Sequence, residues 1–214
     1  MKKSNPGYSS LNALLAGIER LFLSVVIGLI FPVLLGLAGW WGSIPLVPDQ
    51  SIKFFALGGI LVGVLIDTNF LRRWTLNALR IPLTWPVLVY LLYSVGMFGF
   101  FMGVPIFNIL LGPVWGYYMG MRLRAIEADT QTVDIIARRS GFFTAIILGI
   151  ACQIALILAY MDNSLEANIQ SMLGLARALS KTAIMGMSMV GGSILVLLEY
   201  LITRASVKFS KFIK

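Results

Sequence analysis

Two acidic residues, Asp67 and Glu199, lie inside long apolar runs, where an ionised side chain is expensive. Each falls on a helical face that also carries glycine. Carboxylates in such segments take up protons or cations during transport, so these two are the first candidates for chemistry. Each carboxylate lies near the C-terminal end of its run, at a depth similar to that of Arg122 and Arg124. These arginines end a third apolar run, which also contains Asn108, and we predict that they pair with the carboxylates. We predict that these five residues form a polar cluster or pathway. The alternative is a set of buried ion pairs that hold helix ends in register.

Small residues recur at helical spacing in several of the apolar runs. In 104–124 a small or polar residue comes at every fourth position, as Asn108, Gly112, Gly116, Gly120 and Arg124. Residues four apart form one stripe on a helix, and a stripe of glycine lets a second helix approach closely in lipid. We therefore predict helix-packing faces at seven glycines: Gly59, Gly63, Gly112, Gly116, Gly120, Gly149 and Gly192.

The residue types that most enzymes and metal sites need are scarce. The chain has no histidine and a single cysteine, Cys152, which lies inside an apolar run. It also has no paired-carboxylate motif, no serine and histidine pair, and no phosphate-binding loop of the Walker type. We therefore predict that the protein is not an enzyme and that it holds no metal or cofactor.

The composition places these residues in a membrane. Hydrophobic residues make up 58% of the chain and charged residues 12%, with a mean hydropathy of +0.89. A soluble domain has about 25% charged residues. The 214 residues leave room for about six helices of ~20 residues and for no separate soluble domain. We predict a single all-α membrane domain, 1–214, with spans at about 21–42, 52–71, 85–103, 104–121, 141–160 and 182–203.

Prolines indicate where the predicted helices bend or break. Pro32 predicts a kink in the first span. Gly103, Val104 and Pro105 are the only residues available for the turn between the third and fourth spans. We predict a tight antiparallel hairpin, because 85–121 supplies two runs of ~18 to 19 residues. The alternative is a broken or re-entrant helix within 98–113, which Pro105 and Pro113 would permit where protein covers the backbone.

Positive charge is distributed unevenly around the spans. Fourteen of the seventeen Lys and Arg residues lie on one side, which includes both termini. Basic loops stay in the cytoplasm, so we predict cytoplasmic termini in a plasma membrane of the prokaryotic type. Because the charges border apolar runs, lipid headgroups explain them better than nucleic acid does. We also predict an amphipathic cytoplasmic helix at 122–139 and an outer interfacial helix that begins at Asn163.

Two functions fit these features. The first is a small-solute permease, or the substrate-binding membrane subunit of a larger transporter, of unspecified substrate. The segment LLGPVWGYYMG, 110–120, is similar to glycine–proline stretches in substrate-capture components of energy-coupling-factor transporters, although the first span lacks the AxxxA pattern expected there. That resemblance implies an ATPase partner docked on 122–139.

The second function is a non-transporting scaffold that binds other membrane proteins, or further copies of itself, through small-residue helix faces. The two functions predict different interiors. A transporter keeps a polar cavity between its spans, whereas a scaffold is packed solid and exposes a groove of small residues to lipid.

Overall fold

The computed structural model describes residues 6–101, 103–162 and 180–213, with side chains from Leu14 onward except that of Phe212. These ranges are helical and contain no strand, which confirms the all-α prediction. Their α-helices are α1 (Pro6–Gly28), α2 (Ile30–Ser43), α3 (Asp49–Asn77), α4 (Thr84–Phe100), α5 (Leu111–Ala125), α6 (Thr130–Met161) and α7 (Lys181–Phe212). A 3₁₀ helix, Pro105–Leu110, precedes α5. The outer helix predicted from Asn163 lies outside the described residues.

Four helical stretches of the described chain are long and apolar enough to cross a bilayer: Leu14–Ser43, Asp49–Asn77, Thr130–Met161 and Lys181–Lys211. They correspond to the first, second, fifth and sixth predicted spans. Helix α4 is apolar but has only 17 residues, which is about 25 Å of helix against a hydrocarbon core of ~30 Å. The structure therefore supports a helical membrane protein with four candidate spans.

The first predicted span is formed by α1 and α2, with a one-residue break at Leu29. In an unbroken α-helix the N–H of residue 32 would donate to the carbonyl of Gly28, and proline has no N–H. The break therefore falls where Pro32 removes a hydrogen bond, at the place where the sequence predicts a kink. The helical pattern resumes at once, since the N–H of Val33 donates to the Leu29 carbonyl at 3.0 Å.

The fourth predicted span, 104–121, is wrong as a single α-helix. Gly103 follows α4 with a φ of +78°, and its N–H donates to the carbonyl oxygen of Phe98 at 2.7 Å. The 3₁₀ helix comes next, and α5 begins only at Leu111. Pro113 explains this start, because proline is tolerated in the first turn of an α-helix and disrupts its interior. The structure has the broken helix of the alternative prediction for 98–113.

The separate amphipathic helix predicted at 122–139 is also wrong. Helix α5 continues to Ala125, a turn follows, and α6 then extends without interruption for 32 residues. Asp129 caps α6 by accepting hydrogen bonds from two backbone N–H groups of its first turn. No proline separates the charged residues 130–139 from the apolar run that follows, so one helix contains both.

The chain divides into two compact units. The first unit, Met1–Gly96, contains α1, α2, α3 and most of α4, and the second, Met97–Ile213, contains the 3₁₀ helix, α5, α6 and α7. Within the second unit α7 packs on both α5 and α6, and the 3₁₀ helix contacts all three.

Pairs of facing residues give the helix directions in the second unit. Across α5 and α7, Gly112 faces Thr203 and Gly120 faces Ser210, so these two helices are parallel. Across α6 and α7, the hydroxyl of Thr144 meets that of Thr203, while Cys152, later in α6, faces Gly192, earlier in α7. Helix α6 is therefore antiparallel to α7. The buried faces of the three helices form the core of this unit.

Glycine also joins α2 to α3 in the first unit, at a contact that we call the apolar seam. A Cβ atom built on Gly59 would lie 2.2 Å from the carbonyl oxygen of Leu35, and one on Gly63 would lie 2.4 Å from the nitrogen of Pro32. Gly39 of α2 approaches the backbone of α3 as closely. Because real Cβ atoms do not come within 3.0 Å of a neighbour, only glycine fits these positions.

Candidate functional site

The glycine stripe predicted on α5 faces α7. A Cβ atom built on Gly112 would lie 2.5 Å from both Glu199 Oε2 and Thr203 Oγ1. One on Gly116 would lie 2.6 Å from the carbonyl oxygen of Thr203, and one on Gly120 would lie 2.6 Å from a backbone oxygen of α7. The absence of a side chain on α5 therefore lets polar atoms of α7 reach the α5 backbone.

Two serines of α7 use this access. The hydroxyl of Ser206 donates to the carbonyl oxygen of Pro113 at 2.9 Å, and that of Ser210 donates to the carbonyl oxygen of Tyr117 at 3.0 Å. Both bonds join helices that are far apart in sequence. We call the contact between residues 112–120 of α5 and residues 199–210 of α7 the polar seam.

Glu199 lies at the Gly112 end of the polar seam among buried hydroxyl groups. Glu199, Thr203 and Thr144 each have 0% exposure. The hydroxyls of Thr144 and Thr203 are 2.8 Å apart, and Thr144 also approaches the carbonyl oxygen of Gly141 at 3.2 Å. The carboxyl group and both hydroxyls thus form one buried polar cluster contributed by α6 and α7 and covered by Gly112 of α5.

Asn108, the first residue of the predicted stripe, is also buried, with 2% exposure. It lies in the 3₁₀ helix, four residues before Gly112. Because that helix contacts α6 and α7, Asn108 is enclosed by the same elements as Glu199. Trp115 of α5 is also buried, and the centroid of its ring lies 5.0 Å from that of Phe143 on α6.

Arg122 and Arg124 lie at the opposite end of the polar seam. The guanidinium of Arg124 donates to the carbonyl oxygen of Ile213 at 2.8 Å and to that of Ser210 at 3.3 Å, so it caps the end of α7. Arg122 donates to the hydroxyl of Tyr118 at 3.2 Å. Arg124 therefore joins the end of α5 to the end of α7, whereas the hydrogen bond from Arg122 to Tyr118 stays within α5.

The predicted pairing of Arg124 with Glu199 is wrong. Glu199 faces Gly112, which precedes Arg124 by twelve residues on α5 and hence by about 18 Å. The error has a simple cause: α7 continues to Phe212, beyond the predicted span end at 203, so Glu199 lies well inside the helix.

Asp67 belongs to the first unit, on α3. It is buried, with 4% exposure, and neither carboxylate oxygen has a hydrogen-bond partner in the described part of the chain. In the same unit the hydroxyl of Tyr93 on α4 donates to the carbonyl oxygen of Val26 on α1. The predicted convergence of Asp67 with residues of the second unit stays a prediction.

The remaining predicted packing glycines make looser contacts. A Cβ on Gly149 would lie 3.7 Å from the side chain of Val196, and one on Gly192 would lie 3.5 Å from Cβ of Cys152, both ordinary distances. Sequence reasoning missed Gly141 of α6, where a Cβ would lie 2.8 Å from the ring of Tyr200. Gly141 lies four residues before Ala145 and eight before Gly149, at the first residue of the predicted fifth span, so the same four-residue spacing is the signal that could have identified it.

The hydroxyl row of α7 was not predicted either. Its members, Thr203, Ser206 and Ser210, follow Glu199 at intervals of three or four residues. That recurrence on one helical face is the signal that would have identified the row, since polar side chains in membrane helices face other helices.

The described residues contain no group of three or more His, Cys, Asp or Glu side chains that could hold a metal ion. Comparison of the chain with protein-family models, with curated proteins and with solved structures finds no match. The geometry of the polar seam therefore carries the functional argument.

Proposed function

We propose that the protein is a multi-pass membrane transport protein, either a small-solute permease or the substrate-binding membrane subunit of a larger transporter. The observation that carries the proposal is the buried cluster of Glu199, Thr203 and Thr144. An ionisable side chain at a buried position of a membrane-compatible helix is costly, and such residues characteristically belong to substrate or proton pathways. Asn108, buried in the 3₁₀ helix that contacts α6 and α7, carries an amide of the kind that hydrogen-bonds a solute.

The hydroxyl groups couple the protonation of Glu199 to their own orientation. A threonine hydroxyl has one proton, so when Thr144 donates to the Gly141 carbonyl, Thr203 must donate to Thr144. Thr203 can then accept a hydrogen bond from a neutral Glu199 whose carboxyl group turns towards it. An ionised Glu199 instead favours donation by Thr203 towards the carboxylate, and Thr144 then turns towards Thr203. In this proposal, proton uptake at Glu199 reorients the two hydroxyls.

Asp67 of the first unit is assigned the same class of chemistry, the uptake of a proton or a cation. Its carboxylate is buried and has no hydrogen-bond partner in the described residues, which is an expensive arrangement for a group with a purely structural role. The proposal also places both termini in the cytoplasm of a prokaryotic-type plasma membrane, on the basis of the charge distribution. In a larger transporter, an ATPase subunit would dock at the turn after α5, where Ile126 and Glu127 are exposed.

The test is solute uptake by purified protein in proteoliposomes. The vesicles receive a mixture of small metabolites under an imposed proton gradient, and the internal solutes are identified by mass spectrometry. The wild-type protein should accumulate at least one solute. Glu199→Gln keeps the shape of the side chain but cannot ionise, so uptake should fall by about 10-fold or more. Asp49→Asn, which removes a carboxylate from an exposed residue of the first unit, is the control and should transport normally.

A scaffold function is the second candidate, and one observation favours it. Gly186 and Gly191, in the first half of α7, have no described atom within 4 Å of a Cβ built on them. Open glycine positions on a membrane helix can receive a partner helix. Purification in mild detergent tests this function: a stoichiometric membrane protein that is lost on Gly186→Leu, together with no solute uptake by the wild type, would favour the scaffold.

A further inference from the structure

A second polar feature of the second unit is an open groove of about 640 Å³ between the first turns of α6 and the last part of α7. Its lining residues are Thr130, Gln131, Asp134, Ile135, Arg138 and Arg204. Arg204 lies within residues 199–210 of α7, but the other lining residues belong to α6 and none belongs to α5, so the groove lies on the α6 side of α7, away from the contact with α5.

Cations outnumber anions around this groove. Lys208 Nζ lies 2.5 Å from Asp134 Oδ1, with the two side chains 39% and 52% exposed. Arg138 and Arg204 also lie within electrostatic range of the Asp134 carboxylate. One carboxylate cannot balance three cations. Since neither arginine forms a hydrogen bond or an ion pair within the described ranges, their guanidinium N–H groups are available to an anionic ligand.

An apolar surface begins one helical turn away from the two arginines. Phe142 follows Arg138 by four residues on α6, and Tyr200 precedes Arg204 by four on α7, so each aromatic residue shares a face with its arginine. The rings of Phe142 and Tyr200 are 5.0 Å apart between centroids, and Phe142 is 55% exposed. A free phosphate would contact only the arginines, whereas a phospholipid would contact the arginines with its headgroup and the aromatic rings with its acyl chain.

We propose that this groove binds the phosphate group of an anionic phospholipid. Arg138 and Arg204 hold the phosphate oxygens, because the planar guanidinium donates paired hydrogen bonds to phosphate. The acyl chain lies along Phe142 and Tyr200. The position suits a lipid, since the groove adjoins the end of the apolar stretches of α6 and α7, where headgroups meet membrane helices. This site does not depend on transport activity.

The test measures binding to the full-length protein in mild detergent by thermophoresis, with three probes: dioctanoyl-phosphatidylglycerol, dioctanoyl-phosphatidylcholine and inorganic phosphate. Phosphatidylglycerol should bind at least about 10-fold more tightly than either of the others. The double variant Arg138→Ala/Arg204→Ala should weaken its binding by about 10-fold or more. Arg72→Ala/Arg73→Ala removes the same charge from exposed positions of the first unit and should change binding by less than about twofold.

Three outcomes would overturn the proposal. Equal weakening in both double variants would mean unspecific attraction by net charge. Equally tight binding of inorganic phosphate would reject a lipid as the ligand. Equal affinity for the two lipids would remove the selectivity for an anionic headgroup. If the alanine variant does not fold, Arg138→Lys/Arg204→Lys replaces it, because lysine keeps the charge and removes the paired donors. This variant should still weaken the binding of phosphatidylglycerol several-fold more than Arg72→Lys/Arg73→Lys does.

Discussion

Glycine brings two helices into close contact in both seams of this protein, but the atoms that it contacts differ between them. In the apolar seam, Gly59 and Gly63 of α3 lie against backbone atoms of α2, and the closest contacts involve no polar side chain. In the polar seam, Gly112 lies against the carboxyl of Glu199 and the hydroxyl of Thr203. A glycine stripe in a membrane helix therefore does not by itself indicate function, because the residues on the opposing helix decide it.

The largest expected effect comes from filling the apolar seam. Gly59→Ala places a methyl group 2.2 Å from a backbone oxygen, which cannot move without shifting α2. The free energy of unfolding should fall by about 1–3 kcal/mol, as for overpacked cores. Gly58→Ala is the adjacent control, because a Cβ there meets nothing within 4 Å, and its stability should be unchanged or higher by up to about 1 kcal/mol. Unfolding in a denaturing detergent gives both values, and equal values would break the description of this seam.

Removal of one hydroxyl from the polar seam should have a smaller effect. Thr203→Val keeps the shape of the side chain but removes the hydrogen bond to Thr144. Hydrogen bonds between membrane helices contribute about 0.6 kcal/mol on average and up to about 1.7 kcal/mol. Thr68→Val is the control, because Thr68 is exposed on α3 and its hydroxyl donates only to its own helix, at the Leu65 carbonyl. If both substitutions lower the free energy of unfolding by the same amount, the hydrogen bond between Thr203 and Thr144 does not stabilise the polar seam, and the contrast between the two seams is lost.

The smallest expected effect concerns the N-terminus of α6 in the second unit. The side chain and backbone of Thr132 donate hydrogen bonds to Asp129, and they lower the pKa of this exposed carboxyl. Because the pKa is lower in the folded protein, the cap stabilises α6 at pH values above the ordinary aspartate pKa of about 3.9. That stabilisation is lost as the pH falls through the folded value.

Hydrogen exchange in the first turn of α6 measures the cap. Exchange should be faster at pH 3 than at pH 6, after correction for the intrinsic rate, and Asp129→Ala should remove the difference. The same pH dependence in the variant would show that Asp129 is not its cause.

The features that depend on local spacing could be predicted from the sequence. Apolar runs indicate membrane helices, and the stripe on α5 and the kink at Pro32 follow from the positions of glycine and proline. The breaks around α5 were predicted less well, because Pro113 can lie in the first turn of a helix or interrupt its interior, and the sequence alone favoured one long span.

The partner of Glu199 could not be predicted. The last span is predicted to end at 203, and charge counting puts Arg124 on the same cytoplasmic side, so the sequence predicts Glu199 near Arg124. The register between α5 and α7 is instead set by glycine contacts and by Ser206 and Ser210, which bond to backbone carbonyls of α5. Such a register is a property of two distant segments and has no local sequence signal.

The most direct test of the polar seam compares Gly112→Ala with Gly120→Ala in solute uptake and in stability. The new methyl group at Gly112 would displace two side-chain groups, the carboxyl of Glu199 and the hydroxyl of Thr203, whereas the one at Gly120 would meet a backbone oxygen. We therefore expect Gly120→Ala to lose more stability, and Gly112→Ala to lose more uptake per folded molecule. Uptake that falls in proportion to stability in both variants, or that is absent from the folded wild-type protein, would contradict a functional role for the seam.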